Sequence, residues 1–247
     1  VFRTGLNYQL AEYTYIRSSW GQGYRFPSMA ELFISTNQSG LEIYPNPNLK
    51  PESGWSAEIG MKQGLRFRNW LGYIDVAGFL MQYNDMMEFT LGPWGNPVTD
   101  PLIGLGFKSV NIGETQIAGI ELSLNGQGKI SEEIKINLLG GYTYMNHKSL
   151  TPNEVYAYGY SHGENFDQSI TYNNSSSDST VLKYRYNHIV KLDLEIVYKK
   201  ISLGGSCRYN SFMSNIDKIF TTELINDPAS LDLEIDGFEG IPGINEA

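Results

Sequence analysis

The chain has 247 residues, with 27 Asp+Glu against 18 Lys+Arg for a formal charge of −9, and one cysteine, Cys207. This length suits one or two domains of ~150 residues. The acidic balance argues against a nucleic-acid partner, which needs a basic face. One cysteine excludes an internal disulfide framework or a Cys-rich zinc module. No apolar run approaches the ~18 residues of a spanning helix, so a helical membrane protein is excluded. A membrane protein of strands is not, because only every second residue of a strand then needs to be apolar.

Val1-Phe2-Arg3 leads straight into an alternating stretch, Gly5 to Leu10, with no basic segment and apolar run before it. The far end, Gly240 to Ala247, reads as loop. The chain is therefore expected to be a piece of a longer protein.

Period-2 alternation predicts eight strands, at 1–10, 13–24, 54–66, 70–90, 108–126, 132–147, 183–198 and 201–213. In 55–62, Trp55, Ala57, Ile59 and Met61 oppose Ser56, Glu58, Gly60 and Lys62. In 118–125, Ala118, Ile120, Leu122 and Leu124 oppose Gly119, Glu121, Ser123 and Asn125. In 134–145, Ile134, Ile136, Leu138, Tyr142 and Tyr144 share one face, and Lys135, Asn137 and Thr143 the other. In 187–198, His188, Val190, Leu192, Leu194, Ile196 and Tyr198 oppose a face holding Lys191, Asp193 and Glu195. In 201–209, Ile201, Leu203, Cys207 and Tyr209 oppose Ser202, Ser206 and Arg208. Most of these strands exceed the ~5–6 residues of a soluble sheet and reach the ~9–11 needed to cross a bilayer at a tilt.

The connections alternate: short ones at 11–12, 67–69, 127–131 and 199–200, long ones at 25–53, 91–107, 148–182 and from 214 to the end. An up-and-down sheet sends alternate connections to opposite rims, so one rim carries turns and the other large loops. That is the asymmetry of an outer-membrane barrel, with its long loops extracellular. The expected fold is all-β: an antiparallel up-and-down transmembrane β-barrel, present in part as about eight strands. Trp70 and Tyr198 beside short turns, and Trp55, Tyr142, Tyr144 and Tyr209 towards the long loops, fit two interfacial girdles. Plain strand propensity of aromatics explains them too.

Two segments carry more than alternation. Residues 17–33 read RSSWGQGYRFPSMAELF and are followed by Pro45-Asn46-Pro47-Asn48-Leu49-Lys50-Pro51-Glu52; residues 110–122 read VNIGETQIAGIEL. Together they resemble the C-terminal half of the barrel of TonB-dependent outer-membrane receptors, where "NPxLKPE" lies in a loop and "N-[IV]-G…I-x-G-[IV]-E" opens a later strand. The likeness covers about 1–145 in motif and 183–213 in alternation and tight turns. Locally, Pro27 ends the strand begun at Tyr13, and Pro45, Pro47 and Pro51 stiffen the return to Gly54. Gly119 beside Glu121 leaves room for a neighbouring backbone or plug.

The resemblance implies a 22-stranded barrel in the outer membrane of a Gram-negative bacterium, a lumen plug absent from this chain, and the TonB complex as a partner through that plug. It implies energised uptake of a scarce large solute, a ferric siderophore, haem, cobalamin or an oligosaccharide, among outer-membrane lipids, and admits a surface lipoprotein as a further partner. A passive porin or surface adhesin, and a soluble carbohydrate-binding module, are the alternatives.

Catalytic signals are missing. His147, His162 and His188 are scattered without a zinc spacing, and Gly21 to Phe26 lacks the third glycine of a dinucleotide loop. Asp232 to Gly237 begins like a calcium loop, but its twelfth position is Gly243. Neither enzyme activity nor a cofactor or metal is expected. Glu58, Lys62, Glu121, Lys135, Lys191, Asp193, Glu195 and Arg208 are expected to form a polar wall facing the lumen. The ligand candidates are the loop aromatics Trp94, Tyr156, Tyr158, Tyr160 and Tyr172, whose flat rings suit sugars and catecholates, with Arg25 for an anionic chelate. Tyr156, Tyr158 and Tyr160 equally suit a hairpin extended above the membrane. Residues 214–247 hold eight acids against Lys218 alone, a run expected to be solvated.

Overall fold

A computed structural model describes residues 1–38, 41–160, 167–175 and 180–217. Eight long strands form one antiparallel meander: β1 (Arg3–Ala11), β2 (Thr14–Arg25), β5 (Glu52–Phe67), β6 (Trp70–Asn84), β9 (Thr115–Lys129), β10 (Ile134–Ser149), β13 (His188–Tyr198) and β14 (Ile201–Asn210), side by side in that order. Every neighbouring pair is antiparallel, so the short links β1–β2, β5–β6, β9–β10 and β13–β14 share one rim and the long ones share the other. The sheet is open among the described residues, with β1 and β14 as its edges.

Residues paired across an antiparallel sheet project to the same side, so the register sorts the side chains. One row runs Tyr8, Ile16, Met61, Val76, Leu122, Tyr142, Val190 and Tyr209. The row on the reverse face at similar height runs Tyr15, Lys62, Asp75, Ser123, Gly141, Lys191 and Arg208. One face is apolar and the other mostly polar, as the alternation requires. From Ile134 to Tyr144 the chain climbs ten residues; at ~3.3 Å each and a tilt near 40° that is about 25 Å, the height of a lipid-facing apolar band. Trp70 and Tyr198 stand at the lower limit of this face, and Tyr142, Tyr144 and Tyr209 near its upper limit. On the polar face Gly119 admits the Phe79 ring and the Tyr144 carbonyl, which a Cβ there would strike.

The buried core lies elsewhere, in a cap built from the long connections. β3 (Thr36–Gln38), β4 (Leu41–Tyr44), β7 (Met87–Pro93) and β8 (Leu105–Asn111) form a second sheet in the order β3-β4-β8-β7, with β4 and β8 parallel. β11 (Ala157–Gly159) and β12 (Gln168–Ile170) form a small hairpin. Two expected strands are thus each divided. The stretch 70–90 leaves the large sheet after Asn84, and 108–126 joins it only at Thr115. The break has a backbone cause: Asp85 takes φ 52° and Gly113 φ 82°, directions that turn the chain out of a pleat. The expected loop 91–107 is therefore a folded hairpin within 85–114, and the last long link before β13 runs to Asn187.

Candidate functional site

The cap is where the two resemblance segments meet. The Asn46 carboxamide donates to the Ser109 carbonyl at 2.8 Å, and Asn111 exchanges hydrogen bonds with both backbone groups of Lys50. Asn111 also donates to the Asp85 carbonyl at 2.8 Å, at the point where the chain leaves the large sheet. Glu52 accepts from the Met87 backbone at 2.9 Å and from Arg25 Nε at 2.9 Å. Arg25 reaches on to Glu31 at 2.7 Å, inside the short helix α1 (Met29–Phe33), whose N-terminus Ser28 and Glu31 close reciprocally as a capping box. The motif residues hold the first two long connections against each other. Arg25, an expected ligand residue, has its guanidinium engaged by two carboxylates.

Beneath this lies a shared apolar cluster. Met86, Trp94, Val110 and Ile112 from one connection pack with Ile170, Tyr172 and Leu182 from the next. Trp94 is 5% exposed and donates its indole N–H to the Thr90 carbonyl at 3.2 Å; Tyr172 is 1% exposed. Both were expected at a ligand surface, and both are instead core of the cap, because two loops that pack together must bury something large. Tyr156 is half-buried against the same cluster and Tyr160 is half-buried nearby. Tyr158, on β11, is 55% exposed. Tyr156 and Tyr160 flank β11 on either side, and Tyr158 pairs with Ser169 of β12.

A polar bolt runs through the cluster. Lys183 is fully buried, with Nζ 2.7 Å from Asp217 and 3.0 Å from Thr90 Oγ1. The Tyr184 hydroxyl donates to the other oxygen of Asp217. Glu88 lies alongside and accepts from the Tyr172 hydroxyl at 3.4 Å to each oxygen. Burial pushes the Glu88 carboxyl up to about 7, with Lys183 and Arg185 opposing the shift and Asp217 adding to it. Burial likewise holds the Tyr172 and Tyr156 phenols above their ordinary range. Asp217 was expected in a solvated acidic run; it is buried and paired. The remainder of that run, 218–247, with the calcium-like Asp232 to Gly237 stretch, lies outside the described residues, as does His162.

On the large sheet, Glu58, Lys62, Glu121, Lys135, Lys191, Asp193, Glu195 and Arg208 all project from the polar face. Arg17 bridges Glu58 at 3.0 Å and Asp75 at 2.5 Å, and Lys62 stands 3.7 Å over the Tyr73 ring. Asn137 donates to Glu195 at 2.7 Å, and Ser206 to Asp193. Sequence reasoning missed Lys183, Glu88 and Arg17 as organising residues. Arg17 alone left a signal, at the head of the first resemblance segment.

Comparison with known proteins bears directly on this arrangement. The family model described as TonB dependent receptor-like, beta-barrel, matches residues 1–237. The chain belongs to the TonB-dependent receptor family. The passive porin, adhesin and soluble-module readings fall with that result. As in this family, the sheet is part of a barrel of the Gram-negative outer membrane. Among curated relatives, the vitamin B12 transporter BtuB of Vibrio vulnificus is 29% identical over 119 residues, 48% of this chain and 16% of that protein. Hemoglobin-binding protein A of Haemophilus influenzae is 26% identical over 164 residues, 60% of this chain and 16% of that protein. The receptor stretch described here thus spans about one sixth of their length. In fold it is similar to the hemophore receptor HasR of Serratia marcescens, at TM-score 0.52 and 17% identity over 85% of this chain and 31% of that one. The copper transporter OprC gives TM-score 0.51 at 17% identity over 83% and 25%. The relatives are transporters and receptors.

Proposed function

We propose that this chain forms wall and outer loops of a receptor that takes up a scarce, large solute across the outer membrane, powered through TonB. One observation carries the reading: among the described residues the long connections leave one rim, fold into a cap there, and stand over the charged side of a sheet whose other side is greasy. The polar face then lines the lumen, where Arg17, Lys62 and their partners meet water and plug. The cap faces the cell exterior. A solute caught at roughly nanomolar Kd gives up about 12 kcal/mol on binding, so inward release needs work, and the outer membrane holds no nucleotide to supply it. The motor is TonB, pulling on a plug. The solute is a ferric siderophore, haem, cobalamin or oligosaccharide; the similarity to a vitamin B12 transporter and a hemoglobin-binding protein favours cobalamin or haem.

Of the five loop aromatics expected to meet a ligand, Tyr158 is the exposed one, at 55%, while Trp94 and Tyr172 hold the shape. The test is uptake of cobalamin, haem and ferric siderophores by cells carrying the full-length receptor, with and without TonB. Uptake of one class, abolished without TonB and weakened by Tyr158→Ala, is expected. Uptake indifferent to TonB overturns the reading.

A further inference from the structure

The polar face carries a slot close to the rim of short turns. Gly64, near the end of β5, pairs with Tyr73 on β6 and donates its N–H to the Tyr13 carbonyl at 2.7 Å on the other side. With no side chain between them, the two tyrosines leave a depression of about 290 Å³, lined also by Tyr15, Lys62, Arg66 and Leu71. A Cβ at Gly64 would come within 3.1 Å of Tyr13 Cβ, so any larger side chain there fills the slot. Tyr13 and Tyr15 remain 58% and 38% exposed, with their rings open to the lumen side.

A cation stands at each end of this slot. Strand alternation puts Lys62 one row above Gly64 and Arg66 one row below it, on the same face. Lys62 Nζ lies 3.7 Å from the Tyr73 ring centroid, a contact that orients the ammonium without neutralising it. Among the described residues neither Lys62 nor Arg66 forms an ion pair. Asp75, opposite Lys62 on β6, is engaged by Arg17 at 2.5 Å. Leu71, opposite Arg66, adds apolar surface to a face that is otherwise mostly polar. Tyrosine rings, a leucine and two unneutralised cations thus line one small hollow.

We propose that the slot is a transit site for the solute at the inner end of the lumen, taking a flat ring that bears a carboxylate: the ring lies against Tyr13 and Tyr15, and the carboxylate meets Lys62 and Arg66. The proposal rests on the reading that the solute crosses the lumen from the cap, and it narrows the solute to carboxylate-bearing rings. Haem has that chemistry; cobalamin, whose side chains end in amides, does not. Tyrosine faces suit a flat ring, and charge-assisted hydrogen bonds to a carboxylate are strong, with the Arg66 fork able to grip both oxygens. A site on a path must bind well enough to receive its passenger and weakly enough to release it. An open slot with one wall of rings and a cation at each end meets both conditions.

The experiment uses cells carrying the full-length receptor and measures haem uptake, together with haem captured at the surface of the same cells lacking TonB. Lys62→Gln/Arg66→Gln is expected to lower TonB-dependent haem uptake about tenfold, the loss of a charged hydrogen bond, with surface capture unchanged. Gly64→Leu, which fills the slot, should lower uptake several-fold, and Lys62→Arg, which keeps the charge, should retain it. Tyr13→Ala replaces Gly64→Leu if that variant does not fold, judged by thermal unfolding. Surface capture that falls in step with uptake would show that the slot seats the plug or shapes the barrel, and overturns the site. TonB-dependent uptake of cobalamin without any uptake of haem overturns it as well. Haem uptake that is equal with and without TonB overturns the uptake reading itself; TonB-dependent haem uptake that is indifferent to the slot variants overturns the slot alone.

Discussion

Asn111 and Lys50 lie 61 positions apart, yet they hold each other by two hydrogen bonds: the Asn111 carboxamide accepts from the Lys50 N–H and donates to the Lys50 carbonyl, each at 2.9 Å. One side chain thereby substitutes for a strand partner, and its further bond to Asp85 pins the point where β6 ends. Two sequence segments that look like separate motifs are halves of one clamp.

Removing the clamp has a local cost. Asn111→Ala removes its bonds to the backbone of Lys50 and Asp85, which water reaches, at about 0.5–1.5 kcal/mol each. Hydrogen exchange should accelerate in 45–51 and 85–93 while the large sheet stays protected. Unchanged exchange in both segments would refute the clamp.

Glu88 gives the cap a pH dependence of defined sign. Its carboxyl is raised to about 7 in the folded chain, above the ~4.3 of a free glutamate. The folded form therefore holds this proton more tightly. Its contribution is present at low pH and is lost as pH rises through about 7, by about 4 kcal/mol at most. Limited proteolysis of the cap should be faster at pH 8 than at pH 5, and Glu88→Gln should remove the difference. Faster cleavage at pH 5 would show that the sign is wrong.

Breaking one side of the Lys183–Asp217 pair strands a buried charge. Asp217→Asn or Lys183→Met should each destabilise the cap by about 3–5 kcal/mol, and the double variant Lys183→Met/Asp217→Leu should recover most of the loss. A thermal-unfolding cycle reads the coupling; additive losses would mean that the pair does not act as one unit.

The two faces of the β13–β14 hairpin should respond differently to charge. Leu194→Arg puts a cation into lipid, costing about 2–4 kcal/mol near the midplane, whereas the same change at polar-face Ser206 meets water. Urea-dependent folding into liposomes measures both, and equal effects would contradict the assignment of faces.

The large sheet was legible in the sequence because period-2 alternation is local: each of Val190, Leu192 and Leu194 states its own side whatever the neighbouring strands do. The order of short and long links then implies the meander. The cap was not legible in this way. Trp94 and Tyr172 look like any exposed loop aromatics until two connections pack on each other, and Asp217 looks like any acid of a solvated run until Lys183 meets it.

Sequence by itself determined which residues share the apolar face, which share the polar one, and that the bulky links share one rim, since all of these follow from spacing along a single strand or turn. Only tertiary structure decided that Asp85 and Gly113 end the barrel strands early, that Lys50 and Asn111 form one clamp, and that Glu88, Lys183 and Asp217 are buried. Those outcomes depend on contacts between segments tens of residues apart, where burial and pairing, not local periodicity, set the energy of each side chain.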